Sequence, residues 1–227
     1  MAFTPTAQFL TGQDSSSMQW IDQHHQLHQQ VVPAYQRLVS AMAADGIRLK
    51  VVSSWRSFER QARIWQAKCE GRRPVYNALQ QALNITQLTG LAKLEAIMLY
   101  SALPGASRHH WGTELDVYDA AAVTADYEPQ LAPAEYAQGG PFHQLSCWLQ
   151  EHAAQYDFFL PYQHYQGGVA AEPWHISYKP LAKECQAAFS LPMLQRILQT
   201  TPIAEQEQVL LHLPQLFERY ITNIYHE

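Results

Sequence analysis

Apolar residues at Leu27, Val31, Tyr35, Leu38 and Met42 recur at helical spacing, and Asp45-Gly46 supplies a stop. Pro33 must kink this helix or start its second part, because its ring removes a backbone donor and crowds the preceding turn. The period then changes. In "IRLKVVSSW", Ile47, Leu49 and Val51 alternate, which predicts a strand. Ser57 is placed to cap the next helix, with Phe58, Ala62, Trp65 and Cys69 as its buried stripe and Gln61 on a different face. Arg56 therefore falls at a strand-to-helix junction, a place where a rigid scaffold presents side chains to ligands. Residues 76–100 predict one or two further helices, ended by Pro104-Gly105.

The segment "TELDVY" alternates again. A strand there puts Leu115 and Val117 on one face and the carboxylates Glu114 and Asp116 on the other. Residues 120–140 predict a long loop, after which "GGP" opens a helix carrying Phe142, Leu145, Trp148 and His152. Residues 157–170 predict turn or hairpin structure around Gly167 and Gly168, "EPWHISY" (residues 172–178) a strand, and the tail from Leu191 helix. Helices mixed with a few separated strands predict an α+β fold, a small antiparallel sheet flanked by helices with a C-terminal helical extension. The expected division is an N-terminal segment over 1–26, the main domain over 27–185, and an extension over 186–227 packed on that same domain.

Composition narrows the function. A chain of 227 residues that is 47% hydrophobic and 15% charged folds around a buried core. A net charge of −5 without a basic run removes nucleic acid as an expected partner. Cys69, Cys147 and Cys185 lie far apart with no CxxC pair, so isolated buried thiols are expected rather than disulfides or a cysteine-bound metal. No run of about 18 apolar residues occurs, so no membrane span is expected. The start "MAFTPTAQFLTGQDSSS" lacks a basic stretch followed by an apolar one, so as given the chain is expected to stay in the cytoplasm.

The chemistry concentrates in "SRHHWGTELDVYD", residues 107–119. Taken singly, its histidines and carboxylates suit a turn or a hydrogen-bond network as well as a metal. Zinc in a hydrolase, however, takes three ligands from His, Asp or Glu, keeps one position for water, and works beside a carboxylate that is not a ligand. His109, Asp116 and His175 offer such ligands, and Glu172 such a base.

The motif Ser107-x-His109-x-x-Gly112-x-Glu114-x-Asp116, followed by Glu172-x-x-His175, resembles the paired signature of the D-alanyl-D-alanine metallopeptidases. That family holds VanY-type D,D-carboxypeptidases and VanX-type dipeptidases, and shares its fold with the zinc domain of hedgehog proteins. "SSWRSFERQ", residues 53–61, is similar to a third family segment. The resemblance implies one zinc ion on His109, Asp116 and His175, with Glu172 handling the proton of the attacking water. It also implies Arg56 as the cation facing the substrate, and Ser54, Gln61 and Ser107 holding the peptide terminus. The implied activity is D,D-carboxypeptidase action on peptidoglycan stem peptides. L,D-carboxypeptidase or phage-type endopeptidase action, and a non-catalytic zinc module, are the alternatives; the implied substrate points to the cell envelope. Ser54 stands where the family has glycine, and Glu114 where it often has a small residue or Asp, which leaves the role of Glu114 open. Motif register selects His109 over His110, for which packing or support of a ligand from behind is expected. Tyr118 and Asp119 are candidates for orienting a ligating imidazole.

Overall fold

The computed structural model describes residues 3–225. A short helix α1 (Ala7–Leu10), capped by Thr6, leads to a hairpin of β1 (Met18–Trp20) and β2 (Gln26–His28), and then to helix α2 (Val32–Ala44). Leu27 thus belongs to a strand, and Pro33 lies in the first turn of α2, where its missing N–H leaves no bond unmade. Strand β3 (Leu49–Ser53) follows, with helix α3 (Phe58–Cys69) behind it, capped by Ser57.

Of the one or two helices expected over 76–100, one α-helix forms, α4 (Gly90–Met98), after a small hairpin of β4 (Val75–Tyr76) with β5 (Ala82–Leu83) and a 3-10 turn, Ile85–Gln87. The Asn77 carboxamide oxygen accepts from the backbone N–H groups of Leu79 and Gln81, which stabilises a turn in place of a helix. Strand β6 (Glu114–Asp119) comes next. The expected loop over 120–140 contains a short helix, α5 (Pro133–Tyr136), and α6 (His143–His152) starts after Phe142. Strand β7 (Phe158–Phe159) precedes β8 (His175–Tyr178), so Glu172 sits in the turn before the last strand rather than within it. Helices α7 (Lys179–Ala188), α8 (Leu191–Thr200) and α9 (Gln206–Leu216) complete the chain with a π-helical turn, Phe217–Ile221.

The central sheet is antiparallel, in the order β3-β6-β8-β7. Its period-two pattern works as expected on β6: Leu115 and Val117 are fully buried in the apolar core, while Glu114 and Asp116 point to the opposite face. Register places Asp116 opposite both Ser53 and His175, and Glu114 opposite Ser177. A bulge between Val51 and Ser53 ends the β3 pairing just before the chain turns at Arg56.

The chain's ends join one core. Leu194, Leu198, Val209 and Leu213 of the last helices belong to the same apolar cluster as Trp65 of α3, whose Nε1–H donates to the Ala204 carbonyl at 2.9 Å. Near the N-terminus, the Trp111 Nε1–H donates to the Leu10 carbonyl at 3.1 Å, and the Phe58 N–H to the Gly12 carbonyl at 2.8 Å. Cys69 and Cys185 are buried free thiols, but Cys147 is exposed because it lies on the outer side of α6. No helix among the described residues is long and apolar enough to cross a membrane.

Gly12 has a φ of +78°, and a Cβ there would lie 2.3 Å from Nδ1 of the buried His110. Gly12→Ala is therefore expected to destabilise the protein by about 2 kcal/mol or more, from left-handed backbone strain plus displacement of His110. Chemical denaturation of the two proteins measures this directly.

Candidate metal centre

Two neighbouring strands and one tight turn bring the site together. His109 and His110 lie on a 3-10 turn, Arg108–Trp111, not on the strand that follows it, and Gly112 closes the turn at a φ of +68°. A Cβ at Gly112 would approach the His28 backbone nitrogen to 2.7 Å, so the turn requires glycine.

His109 Nδ1 lies 2.8 Å from the Ser54 carbonyl. A carbonyl can only accept, so this nitrogen carries the proton and Nε2 keeps its lone pair, 3.3 Å from Asp116 Oδ2. His175 is turned the other way. Its Nε2 lies 2.7 Å from Glu114 Oε2, and its Nδ1 lies 3.1 Å from Asp116 Oδ1. One donor atom from each of His109, Asp116 and His175 thus falls within 4.8 Å of the other two, and all three residues are buried.

This donor set fits a divalent cation. Burial pushes the His109 imidazole down to about 4, assisted by Arg56, so it is neutral and able to ligate. Burial alone would raise the Asp116 carboxyl, yet it is held below the usual carboxylate range, with His175 Nδ1 at 3.1 Å the group able to stabilise its charge once His109 is neutral. Burial also opposes charge on His175, but Asp116, Glu114 and Glu172 together raise it well above its ordinary value. Carboxylates on both sides of one imidazole call for positive charge between them, which a metal on Nδ1 supplies.

Glu114, whose role the sequence left open, is the group that orients His175. Its side chain is completely buried and accepts from Ser177 Oγ at 2.6 Å and Thr113 Oγ1 at 2.9 Å, with Arg108 Nη2 at 3.1 Å. Burial would raise its carboxyl, but Arg108, His175 and Ser177 hold it down at about 2. Tyr118 and Asp119 do not touch either imidazole. Tyr118 packs on Phe142, and Asp119 Oδ1 accepts from the backbone N–H groups of Arg48 and Ala121 at 2.9 and 2.8 Å.

Glu172 stands beside the donors, with Oε2 3.3 Å from His175 Nδ1. Burial raises its carboxyl despite the opposing pull of His175. Arg56 approaches from the other side, with Nη2 3.5 Å from Asp116 Oδ2. Its Nη1–H donates to Gln61 Oε1 at 2.9 Å, and the Gln61 amide is fixed in turn by donating to the Ala102 carbonyl at 2.8 Å. Arg56 Nε is buried without a partner among the described residues.

Of the residues expected around the peptide terminus, Ser107 lines the cleft with Arg56, Glu172 and the donors. Ser54 and Gln61 lie behind that wall: Ser54 Oγ accepts from the Gln26 N–H at 3.1 Å, and fully buried Gln61 holds Arg56. His110 is a packing residue, with Nδ1 donating to the Arg56 carbonyl at 2.7 Å and Nε2 accepting from the Gly105 N–H at 3.1 Å. Tyr162 was not singled out by sequence, yet it lines the cleft with its ring 4.9 Å from that of His175. An isolated tyrosine in "LPYQHYQGG" carries no signal that would have found it.

Residues 24–181, more than half of the chain, match the family described as VanY: D-alanyl-D-alanine carboxypeptidase. The chain belongs to the VanY family. It is 40% identical over 121 residues to an uncharacterized protein of Haemophilus influenzae, covering 52% of this chain and 92% of the relative. Among solved structures it is similar to a vancomycin-resistance D,D-pentapeptidase VanY from a VanB-type cassette in complex with Zn(II). That similarity has a TM-score of 0.53 at 20% identity, over 75% of this chain and 84% of the other, and shows a shared fold. Within the VanY family match fall all the donors, Glu172 and Arg56, whereas α8, α9 and the N-terminal helix lie outside it.

Proposed function

We propose that this VanY-family chain is a zinc-dependent D,D-carboxypeptidase that hydrolyses the terminal D-Ala-D-Ala bond of peptidoglycan peptides. The observation that carries the reading is the convergence of His109 Nε2, Asp116 and His175 Nδ1 on one buried point, with Glu172 3.3 Å from His175. The fold relative solved with Zn(II) supports zinc as the ion. A zinc ion held by His109, Asp116 and His175 supplies a Lewis acid that polarises the scissile carbonyl and brings the pKa of water towards about 7.

The chain's own residues do the rest. Glu172 takes the proton from the attacking water as the new C–O bond forms and then delivers it to the amine nitrogen, so that the C–N bond breaks and the amine leaves. Its raised carboxyl suits both halves of that transfer. Arg56, permanently charged, held by Gln61 and lining the cleft, offers its guanidinium to the substrate carboxylate or to the oxyanion. Ser107 on the cleft wall holds the peptide terminus, and Gln61 acts through Arg56.

Elemental analysis of protein purified without added metal is expected to find one zinc per chain, with hydrolysis lost to a chelator and restored by zinc. Among peptides ending in D-Ala-D-Ala, peptides ending in a single D-Ala, and cross-linked dimers, the first are expected to be cut fastest. Preference for the second or third makes this an L,D-carboxypeptidase or an endopeptidase. Zinc without cleavage of any makes it a binding module.

A further inference from the structure

The cleft, about 830 Å³ in volume, extends well past the metal donors. Its acidic lining residues, Asp116 and Glu172, both lie at the donor end. Apart from its histidines, the rest of its charged lining is cationic. Arg60, Ile64 and Lys68 of α3 all line the cleft, and their spacing of four residues puts them on one helix face as a stripe about 12 Å long. Arg73, just past the end of α3, lines the same cleft. Uncharged Tyr76 and Gln80 of the β4–β5 hairpin line it too, with Tyr100, to which the Gln80 amide donates.

These cations have no salt-bridge partners. Among the described residues no carboxylate stands within ion-pair distance of Arg60, Lys68 or Arg73, and the nearby Glu70 is engaged by Arg72. Burial pushes the Lys68 ammonium down to about 8, and although Glu172 opposes this, Arg73 and Arg56 add to it. Arg60 likewise acts against charge on Arg56. Like charges gathered along one wall of a protein whose net charge is −5 cost stability, and an anion bound between them relieves that cost.

We infer that the arm of the cleft lined by Arg60, Lys68 and Arg73 is a second anion subsite, which takes a carboxylate carried on a substrate side chain. It deepens the proposed peptidase reading and rests on it. Arg56 serves the group next to the bond that is cut. Lys68, a step of two helical turns beyond Arg60, serves one borne by a residue further along the peptide. Arg60 and Arg73 are exposed and partly screened by solvent, whereas Lys68 is half-buried and contributes most.

The test uses two peptides ending in D-Ala-D-Ala, preceded by 2-aminopimelate or by its side-chain amide. The zinc-loaded parent is expected to show a KM about tenfold lower for the carboxylate peptide at similar kcat, the effect of one charge-assisted hydrogen bond. Lys68→Met is expected to bring the carboxylate peptide to the KM of the amide. Lys68→Glu is expected to reverse the preference, with Arg73→Gln giving a smaller loss. Calorimetric binding of both peptides to the zinc-loaded Glu172→Gln protein reads the same preference without turnover. Equal binding of the two peptides to that protein overturns the subsite, even if both are cleaved. A tenfold binding preference removed by Lys68→Met upholds it, even if neither is cleaved and the peptidase reading falls.

Discussion

Glu172→Gln is expected to lower kcat by about a thousandfold, within the 10²–10⁴ range that a positioned acid–base group contributes, while the protein keeps its zinc. The amide matches the carboxylate in shape and still fills the space beside His175, so the donors stay where they are. What it lacks is basicity. The parent carboxyl is 3.3 Å from His175 Nδ1, and burial makes it a better proton acceptor than an exposed glutamate. Steady-state kinetics on a D-Ala-D-Ala peptide, with zinc measured in the same sample, checks the prediction. A variant that holds its zinc and works as fast as the parent would falsify the role given to Glu172.

The next largest effect belongs to Glu114, a residue that reaches no substrate. Glu114→Gln is expected to weaken zinc binding by about 10- to 100-fold, because the carboxylate that fixes the His175 ring and strengthens it as a ligand is gone. Competition with a chromophoric chelator measures it. Glu114→Ala should do the same and also cost about 3–5 kcal/mol of stability, since Arg108 is then a buried charge without its partner. The double change Glu114→Leu with Arg108→Met separates the two effects: stability should return and zinc affinity should not. Parental zinc affinity in Glu114→Gln would show that the charge of Glu114 is not what makes His175 a ligand, since the amide oxygen can still accept from His175 Nε2.

Much of this site was written in local patterns. Alternation over Thr113–Tyr118 is enough to place Asp116 on the face opposite Leu115 and Val117, and the spaced motifs mark His109, Glu172 and His175. The role of Glu114 was not legible, because it depends on which residue of another strand arrives beside it. Pairing of Asp116 with His175 and of Glu114 with Ser177 is a long-range fact that no window of sequence contains. Gln61 shows a different limit. A helical wheel sets it off the apolar stripe, yet it is fully buried, since its amide bridges Arg56 and the Ala102 carbonyl. Leu27 shows a third. Apolar spacing of four reads the same on either side of a helix start, and only the hairpin with β1 makes that residue part of a strand. Likewise, nothing in the composition of residues 76–100 outweighs helix formation until Asn77 is seen closing a turn.

One junction carries further than its size suggests. The Arg56 N–H donates to the His109 carbonyl at 3.1 Å, and the Arg56 carbonyl accepts from His110 Nδ1 at 2.7 Å. Consecutive residues of one turn thus grip both backbone polar groups of Arg56, and the same turn carries His109, a candidate metal donor. The main chain ties the base of the Arg56 side chain to the turn that carries His109, and Gln61 holds its guanidinium end. An insertion between Ser54 and Ser57 is expected to break both bonds at once, whereas a substitution at Arg56 leaves them possible, because both use its backbone.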